Sequence, residues 1–447
     1  MTTSKAEAYA RGGDLGAFFP AGAVARAVRA RAEWNELARA PGPTIIVIGS
    51  GIAGLVLASR LARGRGPRVV LVTGRPPVAR RLVDGCSLRR SAIALMADAV
   101  GCEARALQDR LGGDAAAFYA LRVRRGTGTT TLQWEGPVLE AGEDRPIGLS
   151  TRHGEILAAL RERLPDGVQL VLGEALPAPP AAEPTRVLHL RLADGDLAVD
   201  VDGDHTLVLD TTPAAVVAAP PAARPPRHVV IAVQQPMRPR PGAASPFDGA
   251  RVAFAPSFAG ARGPQLGFVT PFWDPCSPAA SWYGINTAVI DAATLSAIGE
   301  RALIEDVAGG LARCAEAVGL EPVDAEATTG RACVPVVAQF DAGVGFALHR
   351  AFSPGAPAVN VDGMLAQAVG ATCLARALEG AVAGSLRGAA LRGLRDARRA
   401  LRPLRRWNRV MVWQYFRAPD WVRRVSAATS RPAMPRLVRA WSALGLD

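Results

Sequence analysis

The chain has 447 residues, 49% of them apolar, which is enough to bury a large core and indicates two or three subdomains. Its formal net charge is +12, and the segment from Arg387 to Arg439 alone carries 15 arginines against two acids. Because this segment accounts for the whole excess, a generally basic nucleic-acid-binding surface is excluded, and we expect no nucleic-acid partner.

The hydropathy and the cysteine and histidine positions argue against a membrane-spanning, a disulfide-bonded and a zinc-binding protein. The most apolar stretch, residues 364–384, is interrupted by Gln367, Arg376 and Glu379, so no transmembrane helix is predicted, and the N-terminus has no signal pattern. The six cysteines are scattered, and none of the five histidines has metal-ligand spacing. We therefore expect a cytoplasmic protein without disulfides and without a zinc site.

The first predicted elements are an N-terminal helical extension over residues 1–41 and a strand–turn–helix–strand unit. The extension contains "AGAVARAVRARAEWNELARA", which has apolar positions at helical spacing, and it ends at the breaker Pro41-Gly42-Pro43. The unit consists of a buried strand over 44–49, a helix over 52–63 and a second strand over 68–73.

Further along the chain, predicted helices and strands alternate with turn-rich links. Helices are predicted in "SLRRSAIALMADAVG", "ARALQDRLGGDAAAFYALRV", "STRHGEILAALRERL" and "ATLSAIGERALIEDVAGGLARCAEAVGL", and a long one in "DGMLAQAVGATCLARALEGAVAGSL". Strands are predicted in "VQLVLG", as hairpins in "RVLHLRLADGDLAVDVDGDHTLVLDTTP", and over residues 228–290.

The turn after the first strand carries the Gly-x-Gly-x-x-Gly pattern of a dinucleotide site, formed by Gly49, Ser50, Gly51, Ile52, Ala53 and Gly54. The first glycine permits the tight turn, the second lets the backbone approach a pyrophosphate, and the third lets the helix pack close to the sheet. The helix N-terminus offers N–H groups to the phosphates. A glycine-rich turn that binds nothing is the alternative, but the strand and helix on either side favour a nucleotide site.

The second strand ends differently from most such sites. Where a carboxylate normally bonds a ribose hydroxyl, this chain has Thr73, followed by Gly74 and Arg75. Three interpretations are open at this point. FAD could be held through a substitute contact from Thr73, NADP could be held through Arg75, or the site could have lost its nucleotide.

Four stretches resemble the flavoprotein monooxygenase family that includes para-hydroxybenzoate hydroxylase, geranylgeranyl reductase and squalene-epoxidase-like enzymes. The glycine turn is the first. The second, "RPIGLSTRHGEILAAL", is similar to the family's arginine-bearing segment that leads into a helix, with Arg152 at the matching position. The third, "HTLVLDTTP", is similar to the family's strand ending in Asp-Ala-Thr-Gly: Asp210 and Thr212 match it, while Thr211 and Pro213 depart.

The fourth stretch, "FALHRAFSPGAPAVNVDGMLAQAVGATCLARAL", resembles the family's second flavin motif. Asp362, Gly363 and Met364 match the loop and helix start that approach the flavin ring in the family. His349 and Arg350 stand where the family has Gly-Asp, so this acid, like the ribose acid, is replaced.

The resemblance implies an α/β fold in which a Rossmann-like FAD-binding domain carries an inserted mixed β-sheet substrate domain and a C-terminal helical segment. The implied ranges are 42–115, 146–217 and 336–385 for the FAD-binding domain, 116–145 and 218–335 for the substrate domain, and 386–447 for the helical segment. The implied activity is FAD-dependent hydroxylation or epoxidation of an apolar or aromatic small molecule, with NAD(P)H as electron donor, in bacterial specialised metabolism such as antibiotic biosynthesis.

Two other classes of function are kept as alternatives. Because both acids that contact FAD in the family are replaced, a non-redox cyclase or isomerase on a flavoprotein-like fold is the first. A non-catalytic binding protein is the second. A flavin-dependent halogenase would need a lysine between its two sites, and the sole lysine is Lys5 near the N-terminus, so halogenation is not expected.

The stretch "FVTPFWDPCSPAASWYGINT" is the most distinctive of the middle region. If it lines the substrate pocket, Asp274 handles a proton, and Asp274→Asn loses turnover without loss of stability. Ordinary core aromatics around a turn aspartate are the alternative. The predicted pocket residues are Phe272, Trp273, Trp282, Tyr283 and Asn286.

The arginine-rich tail has three interpretations. It is a helical layer that packs its aromatics on the body, a docking face for an acidic partner such as a carrier protein bearing the substrate, or a segment that lies on an anionic membrane surface. Its aromatics are Trp407, Trp413, Tyr415, Phe416 and Trp421.

Overall fold

The computed structural model describes residues 19–74, 85–127, 131–132, 139–140, 146–176, 187–201, 205–212, 228–242, 252–275, 277, 281–323, 332–335, 341–342, 345–347, 363–382, 384–404 and 406. The helices in this part of the chain are α1 (Ala21–Ala25), α2 (Arg31–Arg39), α3 (Ile52–Arg63), α4 (Arg90–Val100), α5 (Ala104–Arg110), α6 (Gly113–Ala116), α7 (His153–Arg161), α8 (Ala292–Ile298), α9 (Glu300–Ala317), α10 (Gly363–Leu378) and α11 (Leu386–Ala400). The strands are β1 (Thr44–Ile48), β2 (Arg68–Thr73), β3 (Gly85–Arg89), β4 (Ala117–Phe118), β5 (Ala120–Thr127), β6 (Thr131–Leu132), β7 (Leu139–Glu140), β8 (Gly148–Arg152), β9 (Val168–Leu172), β10 (Glu174–Ala175), β11 (Val187–Leu192), β12 (Gly195–Asp200), β13 (Thr206–Asp210), β14 (His228–Pro239), β15 (Val252–Gly260), β16 (Gly263–Pro271), β17 (Trp282–Asp291), β18 (Leu320–Pro322), β19 (Ala332–Pro335), β20 (Asp341–Ala342) and β21 (Gly345–Ala347).

A six-stranded sheet in the order β20-β21-β13-β1-β2-β9 positions the glycine turn. Strand β1 is central and runs parallel to both neighbours, and all five of its residues are buried. Such burial on both faces is typical of parallel sheets covered by helices. Because Ile48 pairs with Val72 on one side and Asp210 on the other, the carboxyl ends of three strands meet where the glycine turn begins.

A nine-stranded sheet forms the second layer of the protein. Its main path is β18-β14-β17-β16-β15-β5-β6, with β19 on β14 and β7 on β5. Helix α9 packs against it through Leu303, Val307 and Leu311. A small sheet, β3-β8-β4, connects to this layer by a bridge between Thr151 and Trp273. Strands β5, β6 and β7 of the large sheet precede β8 in the sequence, and its other strands follow β8.

Helices α3, α4, α10 and α11 share one apolar core with the parallel sheet. A Cβ at Gly393 would lie 2.8 Å from Leu374 Cα, so the backbones of α11 and α10 approach each other closely at this glycine. No helix in the described ranges has both the length and the apolarity that crossing a membrane requires.

The N-terminal region is more closely integrated than a helical extension. The predicted helical run is broken into α1 and α2, because Val28 between them adds to the edge of β9. The Val28 N–H donates to the Leu170 carbonyl at 2.9 Å, and the Leu172 N–H donates to the Val28 carbonyl at 2.9 Å. Trp34 is 5% exposed in the neighbouring core. Pairing the edge strand outweighs continuing the helix, since an open edge leaves backbone groups unpaired.

Three other predicted elements end earlier or pair differently. The helix predicted in "ARALQDRLGGDAAAFYALRV" ends at Arg110, and after the short α6 the chain continues as strands. The last strand of the predicted hairpins, β13, joins the parallel sheet instead, while β11 and β12 form a hairpin. The long helix that begins at Gly363 ends at Leu378, before Gly380 with its positive φ of 73°.

Candidate dinucleotide site and neighbouring residues

The glycine turn has the geometry that a dinucleotide diphosphate requires. Gly49 has a φ of 97°, a conformation that favours glycine. A Cβ at Gly54 would overlap the carbonyl oxygen of Gly49, so only glycine fits there. A Cβ at Gly51 would meet no atom within 4 Å, which leaves open space on this side of the turn.

Helix α3 begins at this open space. Its first residues, Ile52 and Ala53, are 1% and 2% exposed and anchor the helix in the core. The first N–H groups of a helix have no partner within it, and together with the helix dipole they favour an anion. The turn and the start of α3 thus fit a diphosphate group, and the cradle would be filled by any side chain at Gly51.

A threonine-bearing segment from β13 holds the turn in place. The Thr211 hydroxyl donates to the carbonyls of Ile48 and Gly49 at 2.7 and 3.0 Å. The Asp210 carboxylate accepts from the N–H and hydroxyl of Thr212 at 2.8 and 2.6 Å. The two positions that match the family strand, Asp210 and Thr212, therefore form a local turn beside the glycines.

A buried arginine, Arg161, also holds the turn through hydrogen bonds to Ser50, and the sequence analysis did not predict this contact. Arg161, at the end of α7, is 2% exposed. Its Nη2 donates to the carbonyl and hydroxyl oxygens of Ser50 at 3.3 and 3.1 Å. Its guanidinium also lies over the ring of Phe19, 5.2 Å from the centroid. A positive charge is thus held against the segment that would bind a diphosphate.

Thr73 belongs to the same cluster. It is 4% exposed, and its hydroxyl lies 2.9 Å from the hydroxyl of Ser50. A hydroxyl has one proton and two lone pairs, so Thr73 retains at least one acceptor position whichever of the two hydroxyls donates. The residue that replaces the usual ribose acid thus binds the turn itself. The signal in the sequence was the missing acid, but nothing in the spacing pointed to Arg161.

Arg152 and Asp274 form a buried ion pair. The Arg152 Nη2 contacts the Asp274 Oδ2, and the two side chains are 15% and 0% exposed. The adjacent backbone fixes this pair, because Trp273 N–H donates to the Ser150 carbonyl at 3.1 Å and the Thr151 hydroxyl donates to the Trp273 carbonyl at 3.0 Å. The predicted flavin-contacting arginine and the predicted proton handler are therefore partners of each other.

Phe272 and Tyr283 stack on one face of the large sheet. Their ring centroids are 4.7 Å apart at an interplanar angle of 28°, and they are 3% and 1% exposed. The Tyr283 hydroxyl donates to the Gln234 side chain at 2.7 Å and accepts from the Gly85 N–H at 2.7 Å. The Tyr283 hydroxyl connects β17 and β14 to β3, so the tyrosine joins the nine-stranded sheet to the small sheet that carries Arg152.

Trp282 and Asn286 lie on the other face. Asn286 is fully buried, and its amide donates to the Gln265 side chain at 2.7 Å and to the Val307 carbonyl of α9 at 2.8 Å. Trp282 packs against the core beneath the same helix. Side chains alternate between the faces of a strand, which separates both residues from Tyr283. The predicted pocket wall is thus split, with Trp282 and Asn286 pointing away from the Phe272–Tyr283 face.

Trp273 is half-buried and packs over Gly112, where a Cβ would overlap the indole ring. Met364, in the first turn of α10, is half-buried against the main core, and Gly363 is the first residue of that helix. Two predicted cofactor-binding residues, Arg75 and Asp362, lie outside the described residues, as does the His349-Arg350 pair.

Burial disfavours the thiolate form of two described cysteines, Cys314 and Cys373. Burial raises the pKa of the Cys314 thiol to about 12 and also raises the pKa of Cys373. Within the described ranges, no group of three His, Cys, Asp or Glu side chains is arranged to hold a metal ion.

No protein-family model matches the chain, and no curated protein is similar to it in sequence. Solved structures do match. An HpxO variant from Klebsiella pneumoniae in complex with FAD has a TM-score of 0.60 and 13% identity, over 90% of this chain and 98% of that one.

Two halogenating enzymes are similar in the same way. A variant of the flavin-dependent brominase Bmp2 has a TM-score of 0.57 and 13% identity, over 90% of this chain and 94% of that one. The myxobacterial chondrochloren halogenase CndH, an FAD-dependent halogenase, has a TM-score of 0.55 and 18% identity, over 85% of this chain and 84% of that one. These likenesses confirm the resemblance to flavoprotein monooxygenases at the level of the fold.

Proposed function

We propose that this chain, which has the fold of flavoprotein monooxygenases, is an FAD-dependent monooxygenase that hydroxylates or epoxidises an apolar or aromatic small molecule. The observation that carries the proposal is the open cradle at Gly51, at the start of α3 and at the carboxyl edge of three parallel strands. Ligands of open α/β sheets bind at this edge.

In the proposed complex, the N–H groups of Ile52 and Ala53 hold the diphosphate of FAD, and the Arg161 charge behind Ser50 strengthens that hold. By the family resemblance, the region at Asp362, Gly363 and Met364 approaches the flavin ring. Bound flavin supplies the redox chemistry with O₂, and NAD(P)H is the proposed electron donor. The protein's own task is to orient the cofactor and to shield it from water.

Arg152 is proposed to contact FAD in an orientation set by Asp274. A guanidinium held by a buried carboxylate keeps one geometry, because the pair has little freedom to rearrange. The backbone bonds of Trp273 to β8 add to that constraint. We therefore assign Asp274 to positioning rather than to proton transfer in the proposed enzyme.

Monooxygenation is favoured over halogenation by composition. The sole lysine of the chain is Lys5, whereas a halogenase of this fold would need a lysine between the flavin and the substrate. The alternative from a different class is a cyclase or isomerase that uses the same pocket without redox chemistry. The buried Thr73 in place of a ribose acid favours this alternative, since it removes one expected cofactor contact.

A spectroscopic and isotopic assay separates these functions. The purified protein, reconstituted with FAD, should have a flavin visible spectrum that bleaches anaerobically with NADH or NADPH and returns on admission of O₂. With a panel of aromatic and polyene substrates under ¹⁸O₂, the product should carry one ¹⁸O atom. A halogenated product that depends on halide, or turnover by protein that lacks flavin, would refute monooxygenation.

A further inference from the structure

Helix α11 and the described residues that follow it carry a dense cluster of exposed arginines. Residues 386–406 contain eight arginines and one acid, Asp396. The helix itself is held in place, because Leu386, Leu394 and Ala397 are buried in the core. The opposite side presents exposed arginines, which are Arg387, Arg392, Arg395, Arg398, Arg399, Arg402 and Arg406.

Exposed apolar side chains lie among these arginines. The two large apolar side chains that the described residues leave most exposed are Val382, at 66%, and Leu391, at 41%. Leu391 is four residues after Arg387 and four before Arg395, so the three share one helix face. Val382 lies in the link between α10 and α11. Positive charge and apolar surface are therefore combined on one preformed element.

We infer that this arginine face docks the protein on an anionic lipid surface. An exposed basic face of this kind is attracted electrostatically to anionic lipid headgroups, and each arginine near such a surface contributes about 1 kcal/mol. Arginine guanidinium groups match phosphate in a bidentate geometry, and clusters of this size bind acidic lipids. The charge is spread over the length of α11 and the residues that follow it, which suits an extended anionic surface better than a single acidic ligand.

The sequence that follows the described region has the same character. Arginines continue at Arg409, Arg417, Arg423 and Arg424, interleaved with Trp413, Tyr415, Phe416 and Trp421. Docking would deliver an apolar substrate from the lipid, but the inference rests on this face alone and does not depend on flavin chemistry.

Vesicle binding by the full-length protein tests the inference. We expect the wild type to co-sediment with vesicles that contain phosphatidylglycerol but not with vesicles of phosphatidylcholine alone. High salt should release the bound protein, because salt screens exposed charges. The variant Arg392→Glu/Arg395→Glu/Arg399→Glu should bind the anionic vesicles at least about tenfold more weakly. All three positions are exposed, so the fold should be retained, as a melting curve would verify.

A matched control has the same change of net charge elsewhere. Arg39, Arg262 and Arg301 are also exposed, and their replacement by glutamate should leave vesicle affinity within about twofold of the wild type. The inference is overturned if the wild type does not distinguish the two kinds of vesicle, or if both triple variants lose affinity equally. It is also overturned if the wild type ignores anionic vesicles but binds an acidic carrier-type protein through Arg392, Arg395 and Arg399.

Discussion

The ion pair between Arg152 and Asp274 changes what the sequence predicted for the aspartate. Removing one partner of a buried pair typically costs about 3–5 kcal/mol, because the other charge is left buried. Asp274→Asn should therefore lower the free energy of unfolding by roughly this amount, measured by urea denaturation. The double variant Arg152→Met/Asp274→Leu should recover most of the loss, since an apolar pair can replace a buried ion pair. A fully stable Asp274→Asn protein that has lost only turnover would restore the proton-handling interpretation.

Substitutions at two glycines of the turn should have different effects, one on ligand binding and one on stability. Leucine at Gly51 meets no atom within 4 Å at its Cβ and can adopt the local φ of −75°, so Gly51→Leu should fold normally but block the diphosphate. Gly54→Ala would overlap the Gly49 carbonyl and should cost about 1–3 kcal/mol of stability. Melting curves without ligand, compared with FAD titrations, distinguish the two effects. Equal loss of stability in both variants would show that Gly51 serves packing and not ligand access.

Arg161 is predicted to contribute to cofactor affinity through the turn. Arg161→Met keeps the apolar stem but removes the positive charge and both hydrogen bonds to Ser50, so the dissociation constant of FAD should rise about tenfold. Phe19→Leu is the control, because it removes the ring but leaves both bonds to Ser50. Fluorescence titration of FAD measures both variants. If the affinity of Arg161→Met for FAD is unchanged, Arg161 has only a structural role in α7.

Helix α11 offers a test at the level of one element. Leu394 is 4% exposed in the core, whereas Leu391 on the same helix is 41% exposed. Leu394→Ala should therefore cost about 2–5 kcal/mol of unfolding free energy, while Leu391→Ala should stay within about 0.5 kcal/mol of the wild type. Thermal or urea denaturation measures both. Similar small losses would mean that α11 is an appendage rather than part of the core.

Elements with a strong local pattern were predictable, and those set by tertiary pairing were not. The run from β1 through α3 to β2 follows from buried apolar stretches around a glycine turn, and the structure confirms it. The break at Val28 was missed because the edge of β9 is distant in sequence. The entry of β13 into the parallel sheet was missed for the same reason, as its partner β1 lies more than a hundred residues earlier.

The candidate site was predictable only in its backbone. The spacing of Gly49, Gly51 and Gly54 specifies a turn whose geometry needs those glycines, so the pattern was visible. Side-chain partners such as Arg161 with Ser50, or Arg152 with Asp274, depend on how distant segments pack, and no spacing records that. Trp282 and Asn286 lie on the opposite face of β17 from Tyr283, because side chains alternate along a strand. This alternation could have been read from the sequence, but the prediction grouped these residues by their position in one aromatic-rich stretch.

At the scale of the whole molecule, the fold is more informative than the sequence. The chain is only 13% to 18% identical to the solved flavin-dependent proteins, and no family model matches it. Its fold nevertheless matches those structures over most of the length of each chain. By the resemblance in sequence, the departures at Thr73 and at His349-Arg350 fall on positions that contact FAD in flavoprotein monooxygenases. The central question for the molecule is therefore whether the altered site still holds this cofactor.

Titration of the apoprotein with FAD, followed by its melting temperature and by flavin fluorescence, answers that question most directly. We predict saturable binding to the wild type, with a stabilisation of about 2.7 kcal/mol when FAD is present at about 100 times its dissociation constant. Gly51→Leu should show neither the fluorescence change nor the rise in melting temperature. A wild-type protein that gains no stability from FAD, or that is stabilised by NADP instead, would contradict the account.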